Sequence, residues 1–420
     1  MNTERIKKVI RPYFIRWYER PRIERHHEAL IRDIKDRGYA NVVFFACNVA
    51  MWHHQNVYNI FQADSRFRVW IILQPLNEHK TTKENNGMMA LRQFFDKMGV
   101  SYLDATDWNE EQCDLSKTIK PDILFYPQPY SHIFRNGLDW ENYKDKLLCY
   151  LPYDAGTVTE WWSSNTAFQN RAWKLFYQTE FNRDEARRFM YIKGKNVAVV
   201  GNADADTFIE ENHQDVWKPQ ETPKKRIIWA PHWQIATGGV MHRASFLWLN
   251  EEMPRLARTY SDSIQFAFKP HPWLKSQLYA HPEWGKERTD AYYSMWSDMP
   301  NGQLEEGEYV NLFMTSNAMI HDCGGFTIYY HFSRKPVLFT SRSFEQARSQ
   351  LNDYGKSALD AHYVGKDNAD IERFISEIVI GDKDPKRAER EDFYAKYLLP
   401  PHGKTTAQAV YDEIANALFG

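Results

Sequence analysis

The chain has 420 residues, 43% of them hydrophobic, and at roughly 150 residues per domain that length corresponds to two or three domains. A chain of this composition buries sizeable cores and is not a disordered tail. Lys and Arg total 53 against 55 Asp and Glu, a formal net charge of −2, which excludes the overall basic excess of a dedicated nucleic-acid binder.

At the N-terminus, Ile6, Val9, Ile10, Tyr13, Phe14, Trp17 and Tyr18 recur at helical spacing and form one apolar stripe. Residues 1–25 carry eight Lys or Arg against three Glu. A basic, aromatic-faced helix suits an anionic membrane surface, and packing on its own domain is the plain alternative. Pro12 is expected to kink or divide this helix. Its charges deny it the apolar stretch of a signal peptide, and no run in the chain approaches the ~18–20 apolar residues that span a bilayer. The expectation is a cytoplasmic protein held peripherally at the inner face of the cell membrane.

Strand-like apolar runs follow at Val42–Cys47, Arg68–Leu73, Ile123–Tyr126, Leu147–Leu151, Leu175–Gln178 and Asn196–Val200. A second series lies at Arg226–Ala230, Ile264–Lys269, Ala318–His321 and Pro336–Phe339. Amphipathic stretches such as Thr179–Tyr191 and Ala369–Ile380 separate or follow them. Strands alternating with helices predict parallel sheets covered on both faces. The polar stretch Asn212–Lys225, with Pro219 and Pro223, reads as a linker, and Thr405–Leu418 reads as a closing helix. The resulting division is a basic helical segment 1–40, two α/β halves, 41–215 and 216–395, and a C-terminal helix 396–420. Two doubly wound halves suit a ligand held at the carboxyl ends of their strands. Cys47, Cys113, Cys149 and Cys323 are far apart, with no C-x-x-C, so neither a zinc site nor a disulfide framework is expected. The 15 Trp, 24 Tyr and 25 Phe fit sugar or membrane contact, or simply large aromatic cores.

Four strand-end motifs could carry chemistry. His321-Asp322 ends a strand, Cys323-Gly324-Gly325 turns, and Phe326–Phe332 looks helical. Glycines let backbone approach a ligand and a helix start offers free N–H groups, so phosphate is the natural occupant, against an ordinary strand–turn–helix junction. Lys269-Pro-His-Pro-Trp273 fixes a cation and an imidazole, His271, between two prolines, a pair suited to neutralising phosphate and protonating a leaving group. Trp229-Ala-Pro-His-Trp233 places His232 at the mouth of the same half, beside the flexible loop Ala236–Val240. In the first half, Asp154 in Cys149-Tyr-Leu-Pro-Tyr-Asp-Ala-Gly-Thr157 could accept a hydroxyl proton or cap the next helix. The pairs His26-His27 and His53-His54 lack an i, i+4 partner and read as solvated or core histidines.

Taken in order, Trp229–Trp233, Lys269–Trp273, Glu308–Asp322 and Arg334–Val337 resemble the CDP-glycerol glycerophosphotransferases of teichoic-acid and capsule synthesis. Leu398–Thr406 resembles their tail, while Gln55-Asn56 and Gly201-Asn-Ala-Asp-Ala-Asp206 resemble family turns more loosely. The resemblance covers about 41–420. It implies a GT-B fold, two Rossmann-like domains facing a cleft with the C-terminal helix crossing back to the first. It also implies attack of an acceptor hydroxyl, from a polyol phosphate or saccharide, on the glycerol-bearing phosphorus of CDP-glycerol, with CMP leaving. His271 would sit at the pyrophosphate with His232 nearby. Lys269, Asp322, Gly324, Gly325, Phe326 and Thr327 would hold phosphate, and Asn56, Gly156 and Thr157 would lie on the acceptor side. No resident cofactor is implied, no carboxylate cluster calls for a metal, and a divalent ion bridging substrate phosphates would need only one or two carboxylates. The family's His-Gly-Thr stands here as Asp154-Ala-Gly-Thr157, Ser often stands at Gly325 and Glu at Tyr329, so both an Asp154 base and an altered chemistry remain open. A nucleotide-sugar glycosyltransferase and a catalytically silent partner in a polymer-synthesis complex are the competing readings.

Overall fold

The computed structural model describes residues 10–75, 86–130, 137–158, 164–235, 245–307 and 309–420. The expected loop Ala236–Val240 and the first part of the N-terminal stripe, Ile6 and Val9, lie outside them. The chain forms two compact units, one of Met1–Asp154, Thr159–Asp206 and Pro400–Gly420, the other of Ala155–Val158 and Thr207–Leu399.

In the first unit, β1 (Ala40–Ala46), β2 (Phe67–Leu73), β3 (Leu103–Asp104), β4 (Ile123–Tyr126), β5 (Leu147–Tyr150), β6 (Lys174–Tyr177) and β7 (Val197–Val199) make one parallel sheet in the order β3-β2-β1-β4-β5-β6-β7. Every residue of β1 is buried because both faces of the sheet are covered. Val42 and Phe44 join one core with Ile71 and Phe125, while Val43 and Phe45 join the other with Leu124 and Leu148. That double burial makes the strand a continuous apolar run rather than an alternating one. The aromatic residues largely fill these cores, as in the Phe44–Phe125 stack at 4.5 Å.

In the second unit, β8 (Lys225–Ala230), β9 (Ile264–Phe268), β10 (Gly302–Leu304), β11 (Ala318–His321), β12 (Val337–Thr340) and β13 (Tyr363–Gly365) form a parallel sheet in the order β10-β9-β8-β11-β12-β13. Both sheets are therefore doubly wound, with the strand order reversing between β1 and β4 in one and between β8 and β11 in the other. Ligands of such sheets bind at the carboxyl ends of the strands flanking that reversal.

The five helices that matter below are α1 (Arg20–Arg37), α2 (Gln55–Ala63), α3 (Phe326–Tyr329), α4 (Asp353–Asp360) and α5 (Thr406–Phe419). A π-helical turn, Ile15–Glu19, leads into α1, and the backbone is helical from Ile10 to Arg37. Pro12 lies in the first turn of this described helix, where a missing N–H is tolerated and proline's fixed φ is itself helical, and the part of the expected helix before Ile10 lies outside the described residues. Arg20 anchors α1, donating to Asn170 O at 3.2 Å and Ala172 O at 3.0 Å. Ile10, Tyr13, Phe14, Trp17 and Tyr18 stay between 46 and 69% exposed.

The stretch 212–225 is pinned to the second unit rather than loose. Trp217 is buried, Gln214 N–H donates to Asn311 Oδ1 and Lys218 N–H to Gln303 Oε1. Helix α5 belongs to the first unit, burying Ala407, Val410, Ile414 and Leu418 in the core with α2 and α1. Its first amides, Thr406 N–H and Ala407 N–H, donate to the carboxyl of Asp206 at 2.7 and 2.9 Å. An acidic group at a helix N-terminus satisfies otherwise orphaned amides.

Candidate active site

Three neighbouring strands of the second sheet, β9, β8 and β11, end at the reversal point, and each carries one of the singled-out motifs. Beyond β8 lies His232, beyond β9 lies His271, and beyond β11 lies the turn from Asp322 to Phe326. The structure brings them together. The rings of His232 and His271 are 4.9 Å apart between centroids, with Trp233 at 6.4 Å and Trp273 at 5.8 Å from His271. His232 is buried, His271 half-buried and Trp273 exposed.

Asp322 is fully buried and ties the loops to each other. Its carboxyl accepts His232 N–H at 2.6 Å and Ser245 N–H at 2.9 Å. His271 N–H in turn donates to Pro231 O at 3.0 Å, and Lys269 N–H to Trp229 O at 2.8 Å, so the β8 and β9 loops share a backbone seam. The Lys269 amine is buried and donates to Gly307 O at 2.6 Å, holding the loop after β10.

The imidazole hydrogen bonds fix tautomers. Trp273 N–H donates to His271 Nδ1 at 3.2 Å and Gln234 N–H to His232 Nδ1 at 3.3 Å. Each Nδ1 is thereby an acceptor, so each neutral ring carries its proton on Nε2. Two adjacent N–H donors of this kind suit developing negative charge.

The turn after β11 is braced from within. Cys323 N–H donates to His321 Nδ1 at 3.1 Å, and His321 pairs through Nε2 with His362 Nε2 at 3.2 Å. His362 Nδ1 lies 2.8 Å from Ala358 O, so the proton between the two rings belongs to His321. Burial holds His362 well below the usual histidine range. Thr327 is fully buried and its hydroxyl donates to Cys323 O at 3.2 Å. Asp322 and Thr327 therefore shape the turn from inside. The amides of Gly324, Gly325 and Phe326, at the start of α3, donate to no described residue. Gly325 has φ −63°, and a Cβ there would meet nothing nearer than the Tyr329 ring at 3.5 Å, so serine fits its place.

The expected acceptor-side residues divide between the units. Asn56 sits at the start of α2 and Asp154 follows β5, both in the first unit, with Asp154 exposed and its carbonyl accepting from Gln178 Nε2 at 2.8 Å. Gly156 and Thr157 belong to the second. Gly156, at φ +65°, and Thr157 present their carbonyls to the side chain and backbone of Asn352, the N-cap of α4, at 2.8 and 2.9 Å.

The adjacent His53 and His54, which the sequence reads as solvated or core histidines, have different surroundings. His53 Nδ1 lies 2.5 Å from Asp204 Oδ1, bringing residues after β1 and after β7 to one place. His54 is fully buried among Phe44, Trp52 and Phe125, and burial lowers it to about 3. The four cysteines are buried free thiols, and no group of three metal-ligating side chains occurs among the described residues.

No family model matches the sequence, and no curated protein does. Solved structures do. The wall teichoic acid polymerase TagF aligns over 100% of this chain and 98% of its own, with TM-score 0.60 and 10% identity for one variant. The fold is GT-B. UDP-GlcNAc 2-epimerase from Neisseria meningitidis, bound to UDP-GlcNAc, aligns with 90% of this chain and 99% of its own at TM-score 0.57 and 15% identity. MnaA from S. aureus, in complex with UDP, covers 90 and 97% at TM-score 0.58 and 15% identity.

Proposed function

We propose that the protein is a transferase that moves a glycerophosphate group from CDP-glycerol to a hydroxyl of a capsular or cell-wall polymer, releasing CMP. The observation that carries this reading is the convergence of His232, His271 and the Gly324–Phe326 amides on three adjacent strand ends at the reversal point of the second sheet. The amides hold the donor's phosphates. The Nε2–H of His271, with His232 beside it, stabilises or protonates the phosphate oxygen of departing CMP. Asp154 orients the acceptor hydroxyl, with Asn56 on the same unit. The activated bond comes with the donor, so no resident cofactor is required.

The exposed aromatic face before α1, with Arg11, Arg16, Arg22 and Arg25 around it, binds anionic lipid. In this reading the protein works at the inner face of the cell membrane, where a polymer acceptor grows. No helix among the described residues is long and apolar enough to cross a membrane.

The test is purified protein with CDP-glycerol, with and without Mg²⁺, against a panel of nucleotide sugars. CMP release that rises with a polyol-phosphate or saccharide acceptor supports the reading. Release of UDP or UMP from a nucleotide sugar would favour a glycosyltransferase, and no release from any donor a silent partner.

A further inference from the structure

Transfer to a hydroxyl at neutral pH needs a group that takes its proton. Among the described residues at the carboxyl edge of the first sheet, His54, Asp154 and His53 invite comparison as that group. His54 is fully buried and, lowered to about 3, stays neutral without accepting a proton. Asp154 is an exposed carboxylate, an ordinarily weak base near pH 7. His53 differs from both. It follows β1, the strand at the reversal point of its sheet, and its Nδ1 is 2.5 Å from Asp204 Oδ1. The side chains are 9 and 15% exposed.

The carboxyl of Asp204 is not placed by chance. Asp204 N–H donates to Asn202 Oδ1 at 2.9 Å, and Asn202 O accepts the Thr406 hydroxyl at 2.8 Å. Asp206, two residues on, holds the first amides of α5. At Gly201, φ +98°, a Cβ would lie 2.8 Å from Thr406 Oγ1, so only glycine lets the C-terminal tail close on this turn. The end of the chain thus locks the turn that presents Asp204 to His53.

We propose that His53, oriented by Asp204, is the base that takes the proton of the attacking acceptor hydroxyl, a proposal that rests on the transferase reading above. The carboxylate binds Nδ1–H, which leaves the lone pair on Nε2 and favours the imidazolium once formed. As the acceptor oxygen bonds to the glycerol-bearing phosphorus, its proton passes to His53 Nε2. The phosphoanhydride bond breaks, CMP leaves with the electron pair, and His53 returns the proton to water. Asp204 is a positioning residue and does not itself change protonation.

The experiment compares full-length wild type, His53→Gln and Asp204→Asn. His53→Gln stays polar but cannot take the proton. Its kcat for transfer should fall at least about 10²-fold, with unchanged CDP-glycerol affinity by calorimetry and an unchanged melting profile. Asp204→Asn should lower kcat and move the acid limb of the kcat/KM profile to lower pH, because removing the carboxylate disfavours imidazolium. A merely structural pair would leave that limb in place. Wild-type transfer with His53→Gln within about threefold overturns the base assignment and leaves the transferase reading standing. Wild type that binds but never cleaves CDP-glycerol overturns both.

Discussion

Replacing Asp322 with alanine removes the one side chain that accepts from both His232 N–H and Ser245 N–H. Both of those residues are buried, at 6 and 2% exposure, so water cannot readily take the carboxyl's place. Each buried amide left without an acceptor costs about 1–3 kcal/mol, which puts Asp322→Ala near 4 kcal/mol. For a unit of this size, about 2–4 °C per kcal/mol converts that to a fall of roughly 8–16 °C in its melting temperature. Asp322→Asn keeps one acceptor oxygen and turns an amide N–H toward another, so about half the fall is expected. The two units need not melt together, so calorimetry resolving two transitions is the appropriate assay. The second unit's transition should drop and the first unit's should stay. Loss of the staple also releases His232 and the Gly324–Phe326 turn, so CDP-glycerol affinity should drop in parallel. An Asp322→Ala protein melting within about 2 °C of wild type would refute this account of how the β8 and β11 loops are held.

Burial lowers His27 and His54 in the first unit and His331 in the second to about 3, each from an ordinary 6.5. Between those values the unfolded chain binds the proton and the folded chain does not. Stability is therefore complete above pH ~6.5 and declines as pH falls, by about 2 kcal/mol per histidine at pH 5. Melting temperature should fall steadily from pH 7 to pH 5, His331→Gln should lessen the slope of the second unit, and a flat profile would contradict the burial argument. Tyr13→Ser, Trp17→Ser and Tyr18→Ser together should abolish co-sedimentation with anionic liposomes without changing turnover of a short soluble acceptor, and wild-type binding should weaken as salt rises. These substitutions are preferable to deleting residues 1–25, because Arg20 is anchored on the first unit; liposome binding that survives them would mean that the contact lies elsewhere.

The central strands were legible because both faces of each sheet are covered. Ile123–Tyr126 and Ala318–His321 are fully buried, apolar except for the closing His321, and occur with the expected bounds. The sequence reading missed β3, β10 and β13, each two or three residues long and at a sheet edge, where little apolar surface is buried. The strand-end motifs of His232, His271 and Gly324-Gly325 were visible from proline and glycine spacing. The inward role of Asp322 was not, since which way its side chain points depends on loops 77 to 90 residues away in the chain. The His53–Asp204 pair was missed for a similar reason. Its members are 151 residues apart, and only the placing of the 201–206 turn by the C-terminal helix brings them together.

The central claim is that the second unit holds a CDP-activated donor under His271. Full-length wild type and His271→Ala should be compared for CMP release from CDP-glycerol with acceptor present, and for CDP-glycerol affinity. Wild type should release CMP, and His271→Ala should do so at least about 10²-fold more slowly, the usual scale for losing one acid or charge-stabilising group. Its melting profile should be nearly unchanged, because His271 is half-buried in a strand-end loop. Near-normal CMP release by a folded His271→Ala protein would contradict the account, and His271 would then serve only the loop that contains it.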